Sequence, residues 1–131
     1  SNDYWLPYYK NNTTDTDSQV RFTNTSPTES TTVTIYLGNN PTPIYTKLLT
    51  PSSADRINFV NTSGGPLHIV GSSLTAKILA GMRVVYGGGI SFDELMALPT
   101  AFLSTEYWFP FYNHNNVNLD TEIRIGVPGT P

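Results

Sequence analysis

Apolar and polar positions alternate at a period of two along most of this chain. Gln19-Val20-Arg21-Phe22-Thr23 and Asp55-Arg56-Ile57-Asn58-Phe59-Val60 both read this way, and Thr31 to Leu37 is β-branched at five of seven positions. Such a pattern predicts half-buried strands. Tyr4 to Tyr9 is dense in aromatics with high β-propensity, and Pro7 within it predicts an edge, a bulge or pairing on one side only, because proline cannot donate to a ladder. With the polar loop Lys10 to Thr16 and the strand at Gln19 to Thr23, it predicts an opening hairpin. Gly38-Asn39-Asn40-Pro41 turns the chain into Ile44 to Leu49, which should pair back on Thr31 to Leu37. Asn61 to Pro66 is a glycine-rich turn, after which Leu67 to Val70 is a short strand with His68 on the face opposite Leu67 and Ile69. Ala76 to Ala80 and Arg83 to Tyr86 form one strand or a strand bent at Gly81, ended by Gly87-Gly88-Gly89.

One stretch departs from the period. Ser91-Phe92-Asp93-Glu94 fits a capping box, Phe92, Leu95 and Met96 can share a helical face, and Pro99 stops it, predicting a short helical turn near 91–97. The expected fold is therefore all-β: an antiparallel, Ig-like β-sandwich of about nine short strands with that one turn, since no helix is long enough to cross over between parallel strands.

The chain repeats itself. Tyr4-Trp5-Leu6-Pro7-Tyr8-Tyr9 returns as Tyr107-Trp108-Phe109-Pro110-Phe111-Tyr112, and the offset of 103 residues that lays Tyr107 on Tyr4 also matches Asp17 with Asp120, Val20 with Ile123, Arg21 with Arg124 and Phe22 with Ile125, without a gap. Thr105 to Tyr112 and Thr121 to Val127 should thus repeat the opening hairpin. Residues 1–103 read as one complete β-sandwich repeat. Residues 104–131 read as the start of the next repeat, or as a strand pair completing this or a neighbouring domain.

Composition narrows the function. Charged residues make up 13%, about half the usual share of roughly 25%, whereas Thr, Asn and Ser together number 41. A polar but uncharged surface points to an extracellular or cell-surface setting. A net charge of −3 with only 7 Lys and Arg gives no basic footprint for nucleic acid. No apolar run reaches the length of a membrane span. The absence of cysteine excludes disulfides, thiolate metal sites and thiol chemistry.

Candidate chemistry is sparse. Asn11 to Asp17 and Asn115 to Asp120 offer oxygen ligands that suit calcium, with Asp15, Asp17 and Asp120 as the carboxylates, but Asn and Asp are also ordinary turn residues and the spacing is not that of an EF-hand. His68 and His114 lack partners at zinc-ligand spacing. No G-x-S-x-G elbow is present, and the three glycines lack the Lys-Ser/Thr ending of a phosphate loop. No cofactor is expected and no enzyme. The aromatic motif carries two readings. Tyr4, Trp5, Pro7, Tyr8, Tyr9, Tyr107, Trp108, Pro110, Phe111 and Tyr112 can form core and repeat-to-repeat interface, or a platform on which a sugar face stacks. Trp5 and Tyr4 alternate in direction, so both are core only where both faces of the strand are covered. Arg21 and Arg124 either pair with a carboxylate or serve an interface beside the aromatics.

The segment from Thr105 to Tyr112 with Asp120-Thr121-Glu122-Ile123-Arg124-Ile125-Gly126 resembles a repeat of large secreted or surface proteins of filamentous bacteria, in which a YWFPWYD…NTEIRIGNP hairpin opens each unit. The segment that closes the preceding unit, YG-x-SF-x-E-x-x-G-x-P, is matched by Tyr86-Gly87, Ser91-Phe92-Asp93-Glu94 and Pro99, with Leu98 near the position of a small residue. In the first copy Lys10 stands where the family has an acidic residue, and Asn24-Thr25 replaces a glycine-led turn. The resemblance implies extracellular tandem β-domains and supplies no catalytic residues.

The sequence thus leads to a non-enzymatic structural or assembly repeat of a bacterial surface protein or filament, such as a stalk, sheath or fibre. Its partners are adjacent repeats or copies of itself, engaged head-to-tail through the repeated aromatic hairpin. The alternative is a carbohydrate-binding or adhesin module that meets surface glycans with exposed aromatics.

Overall fold

A computed structural model describes residues 1–11, 16–114 and 121–129. Eleven strands occur among them: β1 (Asp3–Leu6), β2 (Tyr9–Asn11), β3 (Thr16–Asn24), β4 (Thr31–Leu37), β5 (Tyr45–Leu49), β6 (Ala54–Ile57), β7 (Thr62–Gly64), β8 (Leu67–Gly71), β9 (Ile78–Tyr86), β10 (Ser91–Met96) and β11 (Leu98–Pro99). A five-stranded sheet has the order β11-β1-β8-β4-β5, a four-stranded sheet the order β10-β9-β3-β6, and β2 pairs with β7. All pairings are antiparallel.

The two larger sheets pack as a sandwich because each strand sends alternate apolar side chains to one face. β3 buries Val20 and Phe22, β9 buries Ile78, Ala80, Met82 and Val84, β4 buries Val33 and Ile35, and β8 buries Leu67 and Ile69. Together with Tyr4, Leu6, Tyr9 and Leu49 these form one core cluster. Each fully enclosed aliphatic or aromatic side chain contributes about 1.5–3 kcal/mol by leaving water. The sandwich is clipped along one side between β5 and β6, where Asp55 accepts from the Tyr45 hydroxyl at 2.8 Å and pairs with Lys47 at 2.7 Å. Burial and that bond push the Tyr45 phenol up to about 12, and the Lys47 ammonium holds the Asp55 carboxyl below its usual range.

Three expectations are corrected. The helical turn near 91–97 is instead the strand β10, paired with β9 from Ser91↔Tyr86 to Met96↔Gly81. Gly87, Gly88 and Gly89 all hold positive φ (57°, 67° and 108°), a path open to glycine, and they return the chain directly onto β9. Glu94 then lies opposite Arg83, with Oε1 2.8 Å from the arginine Nε, and Arg83 covers the Phe92 ring at 4.5 Å. A helix of two turns would satisfy few backbone groups after a costly nucleation, so sheet pairing wins. The helical element among the described residues is a 3-10 turn at Thr100–Phe102.

The opening hairpin is also corrected. β1 belongs to the five-stranded sheet and β3 to the four-stranded one. Pro7 lies just beyond β1, where the chain leaves the ladder, and β1 meets β9 rather than β3 across the core, with the Tyr4 hydroxyl on Ile78 O. The third correction concerns the second copy. The described residues of 105–112 and 121–127 form no strand, although Thr121 N donates to Asn113 O at 3.0 Å and begins to close the hairpin. Gly81, finally, does not break β9, which runs unbroken from Ile78 to Tyr86.

Candidate assembly surface

The two copies of the aromatic motif have opposite environments. In the first, β1 is held on both edges, pairing Tyr4 with Ile69, Trp5 with His68 and Leu6 with Leu67 on one side, and Tyr4 with Pro99 and Trp5 with Leu98 on the other. Tyr4 points into the core and donates its hydroxyl to Ile78 O at 2.7 Å. Leu6 and Tyr9 are fully enclosed. The Tyr9 hydroxyl donates to Ser18 O at 2.8 Å and accepts from Phe59 N at 2.7 Å, while its ring meets Phe59 edge-on at 5.4 Å. Burial raises both phenols above their ordinary range. Tyr8 sits outside, its hydroxyl 2.7 Å from that of Ser63.

Trp5 faces away from the core, yet only 9% of it is exposed. His68 stacks on it at 3.9 Å with the planes 4° apart, and its indole Nε1 donates to Thr100 Oγ1 at 2.9 Å. His68 is itself fixed by Asp3, at 2.7 Å from Nε2. Both faces of β1 are therefore covered, so Trp5 and Tyr4 are buried together. The Asp3-His68-Thr100 cover over Trp5 was not picked out from the sequence. Its one signal there was the alternation that put His68 on the outer face.

The second copy has no such cover. Tyr107 is 52% exposed, Trp108 88%, Phe109 61%, Phe111 71% and Tyr112 57%. Trp108 Nε1 donates to Glu106 at 2.8 Å and the Tyr107 hydroxyl accepts from Ser104 N at 2.7 Å, contacts within the segment itself. Pro110 is exposed as well.

The polar parts of the two copies do agree. Lys10 N approaches Ser18 Oγ at 3.4 Å, and its counterpart Asn113 N donates to Thr121 Oγ1 at 3.1 Å. Arg21 donates to Gln19 at 3.2 Å, and Arg124 grips Glu122 with Nε and Nη2 at 2.7 and 3.0 Å. Arg21 also approaches Glu94 at 3.8 Å. The Arg124 guanidinium lies 5.5 Å from the centre of the Tyr8 ring, and its pKa is raised, chiefly by the bond to Glu122.

The calcium reading finds Asp17 engaged by Gln19 Nε2 at 3.1 Å and Asn58 Nδ2 at 2.7 Å, while Asp15 and Asp120 lie outside the described residues. Among the described residues, no three His, Asp or Glu side chains converge as a metal site would need, and no helix is long and apolar enough to cross a membrane.

The class these features define is an all-β antiparallel sandwich with an open aromatic segment at its C-terminal side. Compared with protein-family models, curated proteins and solved structures, the chain matches none.

Proposed function

We propose that the chain is a non-enzymatic building block of an extended extracellular bacterial surface structure, in which residues 104–131 open a further unit of the same kind. One observation carries the reading. The motif that is buried as β1 recurs 103 residues later with its aromatic side chains in water. A segment that large and that apolar is stable beside a sheet and costly in solvent. The environment that matches it is the one its first copy occupies, between a β8-like and a β11-like strand. A following unit supplies this through the chain. A second copy of the protein would have to displace a β1 that is already covalently in place.

The test is a two-unit chimera in which residues 24–103 follow residue 126, so that the chain's own residues 104–126 are kept and residues 106–109 take the β1 position of the added unit. It includes Phe109→Leu, because Leu6 is fully enclosed and a larger ring there would overpack the site. Trp108 emission is expected to shift to the blue and to lose its access to iodide as a second cooperative unit forms. Trp108 remaining open to quencher beside an unfolded second unit would sink the proposal.

The exposed Trp108 also favours a second reading, a stacking platform for surface glycans. Trp5, covered by His68, is not available for that role. Glycan binding that disappears in Trp108→Ala and survives in Trp5→Phe would select the adhesin reading over assembly.

A further inference from the structure

Residues 121–129 do not follow the aromatic segment into solvent. They return to the end of the sandwich formed by Pro7-Tyr8 and Gly64-Gly65-Pro66, where Ile125, Gly126 and Val127 help line an open groove of about 480 Å³. Their side chains alternate. Arg124 and Gly126 turn toward the domain, with Arg124 over the Tyr8 ring, while Ile123, Ile125 and Val127 are 44%, 83% and 80% exposed. In the first copy the same positions have the reverse assignment: Val20 and Phe22, which match Ile123 and Ile125, fill the core, and Arg21 and Thr23, which match Arg124 and Gly126, face outward.

From this alternation we infer that residues 121–129 are an inter-unit joint, in which the outward face of a following unit's β3 strand docks on the Pro7-Tyr8 and Gly65-Pro66 end of this one, leaving its core face free for its own sandwich. The inference rests on the reading of residues 104–131 as the opening of a further unit.

Gly126 sets the closeness of the joint. A Cβ there would lie 2.8 Å from Pro7 O, 2.9 Å from Pro7 Cα and 3.1 Å from the Pro66 Cβ, two of them backbone atoms that cannot step aside. The matching residue on this unit's own β3 is Thr23, which carries that Cβ. The outward face of β3 therefore cannot seat on a second copy's Pro7 in the same way, and the joint has a direction. Arg124 adds a cation over an aromatic face, held in position by its two bonds to Glu122.

The full 131-residue chain is suited to the test, with backbone 15N relaxation of residues 123–127 as the readout. In the unmodified protein these amides are expected to be as ordered as those of β8. Gly126→Val should release them and raise the rate of proteolysis between residues 104 and 129 about tenfold or more, as overpacking of a close contact does, while near-UV signals from Tyr4 and Trp5 stay unchanged. Tyr8→Ala, which removes the ring under Arg124 together with its hydroxyl contact to Ser63, should loosen the segment to a smaller degree, and Ile125→Ser on the free face should leave it docked. Mobile amides in the unmodified chain, or a Gly126→Val protein with the segment still ordered, would overturn the joint. A docked segment combined with a chimera whose second unit fails to fold would reject the repeat reading and leave the docking intact.

Discussion

Tyr9 and Tyr112 occupy the same place in the repeated motif, and the same substitution in each should have different consequences. Tyr9→Phe removes one oxygen from a fully enclosed site. That oxygen serves two backbone groups, accepting from Phe59 N at 2.7 Å and donating to Ser18 O at 2.8 Å. Both lose that partner in the variant, Ser18 O in a buried setting and Phe59 N in a part-buried one. An orphaned buried group costs about 1–3 kcal/mol, so the loss should be about 2–4 kcal/mol once the two are only partly independent. For a domain of this size each kcal/mol lowers the midpoint of thermal unfolding by about 3–5 °C. Tyr112→Phe removes the same atom from a side chain that is 57% exposed, and its effect should stay within about 0.5 kcal/mol. Urea unfolding followed by far-UV circular dichroism measures both. The Tyr9 variant should show a lower midpoint at unchanged slope, because the surface exposed on unfolding is the same. Equal shifts in the two variants, or a neutral Tyr9→Phe, would refute the argument that the two copies have opposite environments.

Two further outcomes follow from the sandwich itself. A Cβ at Gly81 would stand 2.9 Å from Leu95 O, so Gly81→Val should push β10 from β9 at a cost of about 1–3 kcal/mol, seen as faster hydrogen exchange across Ser91 to Met96 with β3 still protected. The Tyr45-Asp55-Lys47 clip should give stability a pH dependence at both extremes. The folded Asp55 carboxyl loses its proton more readily than the unfolded one, so its contribution is complete above an unfolded pKa of about 4 and disappears as pH falls through the lower folded value. Tyr45 has the opposite displacement: its contribution is complete below an unfolded pKa of about 10 and disappears as pH rises toward about 12. Lys47→Met should therefore raise the pH of acid unfolding, measured by a fluorescence titration.

Much of this architecture is legible in the residues, and what is not has identifiable causes. Alternation located β3, β4 and β8 because each buries one face, and the turn at Gly38 to Pro41 gave the β4-β5 pairing. It failed at Ser91 to Met96, where a local capping signal competes with a partner strand brought back by three glycines. Every residue of β10 is exposed, so the sequence there lacks the apolar rhythm that reveals a strand. The segments of the expected opening hairpin are close in sequence but do not pair, because β1 finds its neighbours at Leu67 to Val70 and at Leu98-Pro99. The burial of Trp5 depends on Thr100, 95 residues away, which no local pattern can report. The repeated motif was visible from the start. That its copies differ in environment needed the packing.

The enclosed site at Leu6 also bears on how such a chain reaches its fold. Two similar aromatic segments on one polypeptide are both candidates for the berth beside β8 during folding, a recognised hazard of repetitive sequences. The berth discriminates by volume: Leu6 is fully enclosed in it, and Phe109 in its place would meet an overpacking penalty of about 1–3 kcal/mol, a bias of roughly five- to 150-fold toward the first copy. A difference of a few carbon atoms between the two copies thus acts as an address label, favouring the first copy over the second at this berth.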